Sequence, residues 1–565
     1  MNSSQALGLA LGIISIALTV GARPSAAQTP LPVRVGITGV RQISLSEAVT
    51  EALANSPDIA VAKTGVEQAT YGVAGALGAF DPQISVQTSL LRQVAPISSI
   101  IGGAAGGRLT QQELLVGPRV QGIAPVLGTR YEVSFTSRRQ TTDNLFTTLN
   151  PQFPTALAGS ITQPLFRGRA VDDVRRRVEL AKKNQNLSDQ QFRQRVMDVT
   201  LQTEQAYADL VLADQNLQVQ MQGLDLARQQ TESNRRRVEQ GVGAPIDVVE
   251  AETQVASARQ NVAAAQSQLT RAENALKMLI ASERTAAVWS KALQPTTPAS
   301  AGGADPSLED AVRQALAERP ELAQAAISAE TNEINLRFFR DQTKPQVDLL
   351  ASYTSAGLAG RVIPSGPNPF TSGLAPLFDR INALSGLQGL PPLGLFGGAT
   401  SAGDSTVPAL LTGGLGQSLN NLLTQDFPTF EVGVRVSLPL RDRTAQANLA
   451  TGVVEGRRLR LQRQQLEDSI EADVRNALQA VASLRTSAAA AVDVRNLAEQ
   501  QYASEQRRFE AGTSTVFLVV QRQTALIAAR SQLARAQADL DKSLAALRRV
   551  TGQTLEAHAI SLHAN

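Results

Sequence analysis

Long polar stretches in which apolar residues recur at helical spacing dominate the chain. From about Val171 to Gln240 there is no Pro and one Gly, Gly223. A counterpart runs from about Thr444 to Ala511. Roughly 70 residues of helix at 1.5 Å per residue make a rod of about 105 Å. No single domain core accommodates that length, so each rod must pack along partner helices as coiled coil. The stretches that follow agree. Val255, Ala258, Val262, Ala265, Leu269, Ala272, Leu276 and Leu279 keep a 3-4 spacing. So do Leu526, Ala529, Leu533, Ala536, Leu540, Ser543, Leu547 and Val550, and both sets read as scaffolding seams.

Other segments alternate with period two. In "PQISVQTSL", Ile84, Val86 and Leu90 face one way and Gln83, Ser85, Gln87 and Ser89 the other. "PQVDLLASY" sets Val347, Leu349, Ala351 and Tyr353 against Asp348 and Ser352. "FEVGVRVSL" is clearest, with Phe430, Val432, Val434, Val436 and Leu438 opposite Glu431, Gly433, Arg435 and Ser437. One apolar and one polar face is the pattern of a barrel with a wet interior and lipid outside. The competing reading is a half-buried sheet of a soluble protein. Two strands per half give about four per chain, too few to close around a channel. An open sheet edge is not viable in lipid, so chains must pool strands, and three would give twelve. The first half is less tidy: 130–137 is a candidate besides 82–92 and about 155–163. An even number of crossings requires either that 130–137 lie outside the membrane or that a fourth strand lie near 114–124.

The chain also repeats itself. "ISLSEAVTEALANSPDIAVA" (43–62) resembles "PSLEDAVRQALAERPELAQA" (306–325), pairing Leu45 with Leu308 and Pro57 with Pro320 at an offset of 263. Pro164 pairs with Pro439 at 275, and Gly241 with Gly512 at 271. We therefore read a tandem duplication, 43–283 and 306–551, joined by a Pro/Ala/Ser-rich linker at 284–305. A tail follows at 552–565. The second repeat carries a Gly-, Pro- and Leu-rich insert at 355–426, and the expectation for it is an ordered cap or constriction at the outer mouth.

Composition narrows the address. An apolar run from Ala6 to Val20, followed by Ser25-Ala26-Ala27, reads as a cleaved signal peptide over 1–27, with 28–42 as an N-terminal segment. There is no cysteine, which removes disulfides, thiolate metal sites and Cys nucleophiles. After residue 27 no run of 18 or more apolar residues remains, so any membrane crossing must be made by strands. A net charge of +3 over 565 residues, with Arg beside Asp and Glu, gives no support to nucleic-acid binding. The only histidines, His558 and His563, lie in the tail, and no nucleophile or phosphate-loop motif follows a strand. The expectation is no enzyme, no cofactor and no metal site.

The doubled "SLxEAVxxAL…PxL" helix, the "QPLFRG" strand-to-helix junction and the "RRxExG…DVVxAxT" turn resemble the TolC-like outer membrane efflux proteins. The resemblance covers nearly all of the chain after the leader, in order and in both halves. It implies a mainly α fold with a β-barrel portion: tandem long-helix hairpins in an α-barrel, plus about four strands per chain in a trimeric twelve-stranded transmembrane barrel. It further implies an exit duct for efflux or type I secretion, in the outer membrane of a Gram-negative-type cell and reaching into the periplasm. Its partners would be outer membrane lipid, a periplasmic adaptor and an inner-membrane transporter, with the chain itself a homotrimer. The alternative is a soluble periplasmic coiled-coil adaptor or structural protein.

Carried onto this chain, the resemblance places Gly241, Gly243, Pro245, Asp247, Gly512 and Ser514 at the two periplasmic tips, with adaptor contact across 238–247 and 509–518. Arg236, Arg237, Glu250, Arg507 and Arg508 are candidates for salt bridges that hold the entrance shut; solvated helix ends are the equal alternative, since cations suit a helix C-terminus. Some family members carry acids just after the second turn. Here the stretch reads "TSTVFLVVQRQ", so Leu518 and Gln521 are the candidate constriction and gating is expected to be more apolar.

Overall fold

The computed structural model describes residues 34–98, 103, 106–297, 306–363, 374–393 and 407–561. The signal peptide, parts of the 284–305 linker and of the 355–426 insert, and His563 lie outside them. The chain divides into two compact units, Met1–Asn55 with Gln202–Gly302 and Val481–Leu544, and Ser56–Leu201 with Gly303–Ala480 and Ala545–Asn565.

The second unit holds a six-stranded antiparallel sheet: β2 (Gln83–Pro96), β3 (Arg108–Ile123), β4 (Arg130–Thr142), β5 (Leu149–Pro164), β7 (Gln346–Val362) and β8 (Phe427–Ser437), in that order across the sheet. This corrects the expectation of about four strands. The open place near 114–124 is filled by β3, and the first half supplies four strands to the second half's two. Registers propagate one face across all six: Val86 lies opposite Pro118, Val133 opposite Gly159, Gly159 opposite Tyr353 and Tyr353 opposite Phe430. That face is apolar and exposed, with Ile84, Leu90, Ile161, Phe430, Val432 and Val434 each more than half exposed. The opposite face carries Gln83, Ser85, Arg119, Glu132, Ser352 and Arg435.

The insert is described only in part. Its described part contains α7 (Ala375–Leu387) and α8 (Leu415–Leu423). Helix α8 packs on the same side as the apolar face, against small residues of β5 and β7. Thr155 Oγ1 meets Ser418 Oγ at 2.8 Å, and Ser355 Oγ donates to Leu422 O at 2.7 Å. A Cβ on Gly357 would stand 2.0 Å from Ser418 O, so only glycine admits the helix there. Helix α8 therefore lies on the apolar side of the sheet, not over its polar face.

Helices α5 (Leu308–Glu318) and α6 (Pro320–Gln342) start on a Ser307 cap and on Pro320, which needs no N–H at a first helical turn. Ala311, Ala315 and Leu322 of these helices cluster with Ile470 and Val474 of α9 (Arg443–Glu510). Nearby, Arg549 of α10 (Val516–Thr551) bridges two helices: Nε donates to Asp198 at 2.6 Å and Nη2 to Glu321 at 2.8 Å. Burial lowers the Arg549 pKa, but its two carboxylate partners outweigh that and raise it.

In the first unit, β1 (Gly39–Ile43) pairs in parallel with β6 (Lys291–Pro295). The stretch taken for a linker therefore contributes a strand. Tyr207 of α3 (Asp173–Glu239) donates to Ile43 O at 3.1 Å and accepts from Thr297 N at 3.0 Å, fastening this pair to the rod. Helix α1 (Leu45–Asn55) is tied to the end of α4 (Pro245–Ile280) by Asn55 Nδ2 donating to Ile280 O at 2.8 Å. Beside it Lys277 is fully buried, 3.6 Å from Glu273, which also pairs with Arg34. Burial depresses the Lys277 pKa; Glu273 opposes that shift and Arg34 reinforces it.

The buried stripe of α4 drifts from the expected seam. Ala258, Val262, Ala265, Leu269 and Leu276 are buried as expected, but Glu273 and Ile280 replace Ala272 and Leu279. From Ala251 to Ile280 the stripe follows the helical period more closely than a 3.5 repeat, the behaviour of a nearly straight helix. Gly223, the only glycine of the first rod, sits where α10 crosses. A Cβ there would stand 2.6 Å from Ile527 Cδ1, and Gln523 Nε2 donates to Gly223 O at 3.3 Å.

Candidate functional site

The two helix tips share the first unit. At the first, α3 ends on Gly241 with φ +71°, where a side chain costs conformational strain. Val242 N donates to Arg237 O at 2.9 Å and Gly241 N to Val238 O at 3.0 Å. At the second, Gly512 has φ +75°, Thr513 N donates to Arg508 O at 2.9 Å and Gly512 N to Phe509 O at 3.0 Å. Both are Schellman motifs.

The helices leaving the tips are capped by different chemistry. Pro245 opens α4, and Asp247 Oδ2 accepts from Ala244 N at 3.3 Å. At the second tip Thr515 Oγ1 accepts from Leu518 N at 3.4 Å, and Ser514 Oγ bonds the Glu505 carboxylate.

The tips touch each other within the chain. The Arg237 guanidinium lies 4.3 Å over the Phe509 ring, and its Nη1 donates to Phe509 O at 3.3 Å. A cleft of about 190 Å³ between them is lined by Asn234, Arg237, Val242, Gly243, Asp247 and Ser514, among others. Beneath it Phe509, Val516 and Val519 form a small core with Tyr502 and Val520. Burial, and secondarily Glu510, raises the Tyr502 pKa.

The candidate salt-bridge residues divide accordingly. Arg237 is engaged by an aromatic ring and a carbonyl rather than a carboxylate. Arg508 stands 4.0 Å from Glu505 on its own helix. Among the described residues Arg236, Arg507 and Glu250 form no ion pair within the chain, whereas Arg235, not singled out by sequence, pairs with Glu252 at 2.6 Å. Leu518 and Gln521 are exposed.

Sequence reasoning overlooked the apolar residues at these turns. Val242 is 66% exposed, Ile246 67%, Val249 56% and Phe517 61%, and together they make both tips apolar at their ends. The signal was present in "GVGAPIDVV" and "TVFLVV", where hydrophobic residues occupy turn positions that ordinarily stay polar.

The polar and apolar faces of the sheet, with two long helical hairpins in one chain, define a strand-anchored channel subunit rather than an adaptor. Among the described residues no helix is long and apolar enough to cross a membrane. The outer membrane efflux protein model matches twice, at residues 125–282 and 396–553, more than half of the 565 residues. The chain belongs to that family. No curated protein matches it by sequence. Among solved structures, the outer-membrane channel OprN aligns with TM-score 0.59 and 14% identity, covering 90% of each chain. The CmeC outer membrane channel of Campylobacter jejuni aligns with 0.59 and 13%, covering 90% of this chain and 86% of that one. The outer membrane protein VceC of Vibrio cholerae aligns with 0.57 and 14%, covering 90% and 96%. At such identities these likenesses speak for the fold, and the family match for the function: efflux across the outer membrane. The soluble adaptor alternative finds no support.

Proposed function

We propose that three copies of this chain form a passive, non-catalytic exit duct that docks, through its paired tips, onto a periplasmic adaptor and thereby an inner-membrane transporter. The observation that carries this reading is the exposed apolar set Val242, Ile246, Val249 and Phe517 around two rigid turns. Isolated apolar residues are ordinary on a surface, but several clustered around two turns mark a protein contact. Gly241, Gly243, Pro245, Gly512 and the caps Asp247 and Ser514 hold the shape, and the neighbouring side chains supply contact area. Arg236, Arg507 and Glu250, which form no ion pair among the described residues, are free to pair across copies or with the adaptor. Leu518 and Gln521, one and two turns from the second tip, form the apolar and uncharged part of the entrance.

Replacing Ile246 and Phe517 together with Glu tests the docking surface. Export in cells should fall to near that of a deletion strain, while the purified variant still conducts in planar bilayers. Export at the parental level would refute the tips as the docking rim.

A further inference from the structure

The residue pattern suggests about four strands per chain, and the sheet holds six. We propose that the barrel is closed by eighteen strands, six from each of three copies, with β8 of one copy hydrogen-bonded to β2 of the next. This rests on the trimeric reading above. Three observations carry it.

The first is that β3 and β4 are full members of the sheet. β3 pairs with β2 from Gln83↔Gln121 to Pro96↔Arg108, and β4 pairs with β5 from Arg130↔Thr162. No register brings β2 onto β5, so a barrel without this hairpin would require the sheet to be rebuilt. The hairpin's turn is also tied down, since Gln163 Nε2 donates to Leu127 O at 3.2 Å.

The second is that the hairpin carries the two-faced pattern of the other strands. Leu114, Val116 and Val133 lie exposed on the apolar face. On the opposite face Arg119 pairs with Glu132 at 3.2 Å and Arg138 with Glu113 at 3.4 Å. A charge turned to lipid at the midplane costs about 2–4 kcal/mol, so these pairs belong on the wet side. A hairpin lying outside the membrane would need no apolar exposed face.

The third is that β2 and β8 are edges without partners among the described residues, and both are exposed along nearly their whole length. Hydrocarbon forbids an open edge, and six strands cannot curl around water, since about eight already leave an interior filled by side chains. A second copy of this chain offers the complementary edge. At about 4.8 Å between strands and the usual tilt, eighteen strands give a backbone diameter of about 36 Å, against about 24 Å for twelve.

Single cysteines in the assembled protein in nanodiscs decide it. Val116→Cys and Val133→Cys should resist an aqueous maleimide and be quenched by a lipid-borne nitroxide, as Val434→Cys on β8 is expected to be. Ser134→Cys and Thr136→Cys should react with the maleimide, as Ser352→Cys should. Reaction at all four hairpin positions would place β3 and β4 outside the barrel and overturn the proposal. Native mass in the same nanodiscs should be three chains. Two chains with the alternation intact would mean twelve strands from a dimer, which overturns the eighteen and the trimer but keeps the six-strand contribution.

Discussion

A Gly-Val-Gly-Ala-Pro turn at one tip and a Gly-Thr-Ser-Thr turn at the other make the same two backbone hydrogen bonds. The rods entering them are 67 and 68 residues long and the helices leaving them both 36. Within these matching hairpins the side-chain chemistry diverges. With the offset of 271 that pairs Gly241 with Gly512, Gly223 answers Val494, and buried Arg549 answers Met278, which is 70% exposed. Backbone geometry set by glycine is common to both halves, while buried polar groups and close crossings belong to one half each.

The largest expected break in that symmetry lies at the ends of the returning helices. Arg549→Met removes the cation between Asp198 and Glu321 and should destabilise by roughly 3 kcal/mol, because two half-buried carboxylates lose their partner. Lys277→Met should be neutral or slightly stabilising, since among the described residues Lys277 Nζ has no hydrogen-bond partner and Glu273 keeps Arg34. Thermal unfolding in detergent separates the two, and equal losses would contradict the contrast. Glu321 adds a pH signature. Burial raises its pKa, but Arg549, with help from Arg319, outweighs this and holds it below the usual 4.5. Its contribution is present above that value and lost as pH falls through the lower folded value. The acid-side fall in midpoint should therefore shrink in Arg549→Met.

Next comes the crossing of α3 and α10. Gly223→Val should cost about 1–3 kcal/mol through overpacking against Ile527, whereas Val494→Gly in the twin position should cost about 0.5–1 kcal/mol from backbone freedom alone. The tip glycines should respond alike. Neither has any atom within 4 Å of an added Cβ, so Gly241→Val and Gly512→Val each carry only the strain of positive φ, about 1–2 kcal/mol. A clear inequality between them would show that one tip is held by its surroundings. The smallest effects belong to the caps: Asp247→Ala and Thr515→Ala should each lose about 0.5–1 kcal/mol.

Long helices, turns and most strands were legible because each writes a period or a glycine into the chain. β3 was legible only as one way to make the crossings even, and "LLVGPRV" explains why no period announced it. Gly117-Pro118 reads as a turn, Pro118 lacks the N–H a ladder uses, and the β3–β4 register skips both residues. Leu115 further blurs the alternation by standing on the polar face. β1 and β6 are five residues each and pair across some 250 residues of sequence, so no local pattern announces them. Arg237's contact with Phe509 depends on two helix ends that only the fold brings together. The apolar tips were readable in composition, but glycine and proline dominated the reading of those turns.

Site-specific photocrosslinking in cells tests the docking account most directly. A photoreactive residue at Val242 and, separately, at Ser514 should each capture the adaptor protein, while one at Val454, exposed on α9 far along the chain from either turn, should not. Capture at Val454 with none at Val242 or Ser514 would contradict the claim that the paired tips are where this channel meets its pump.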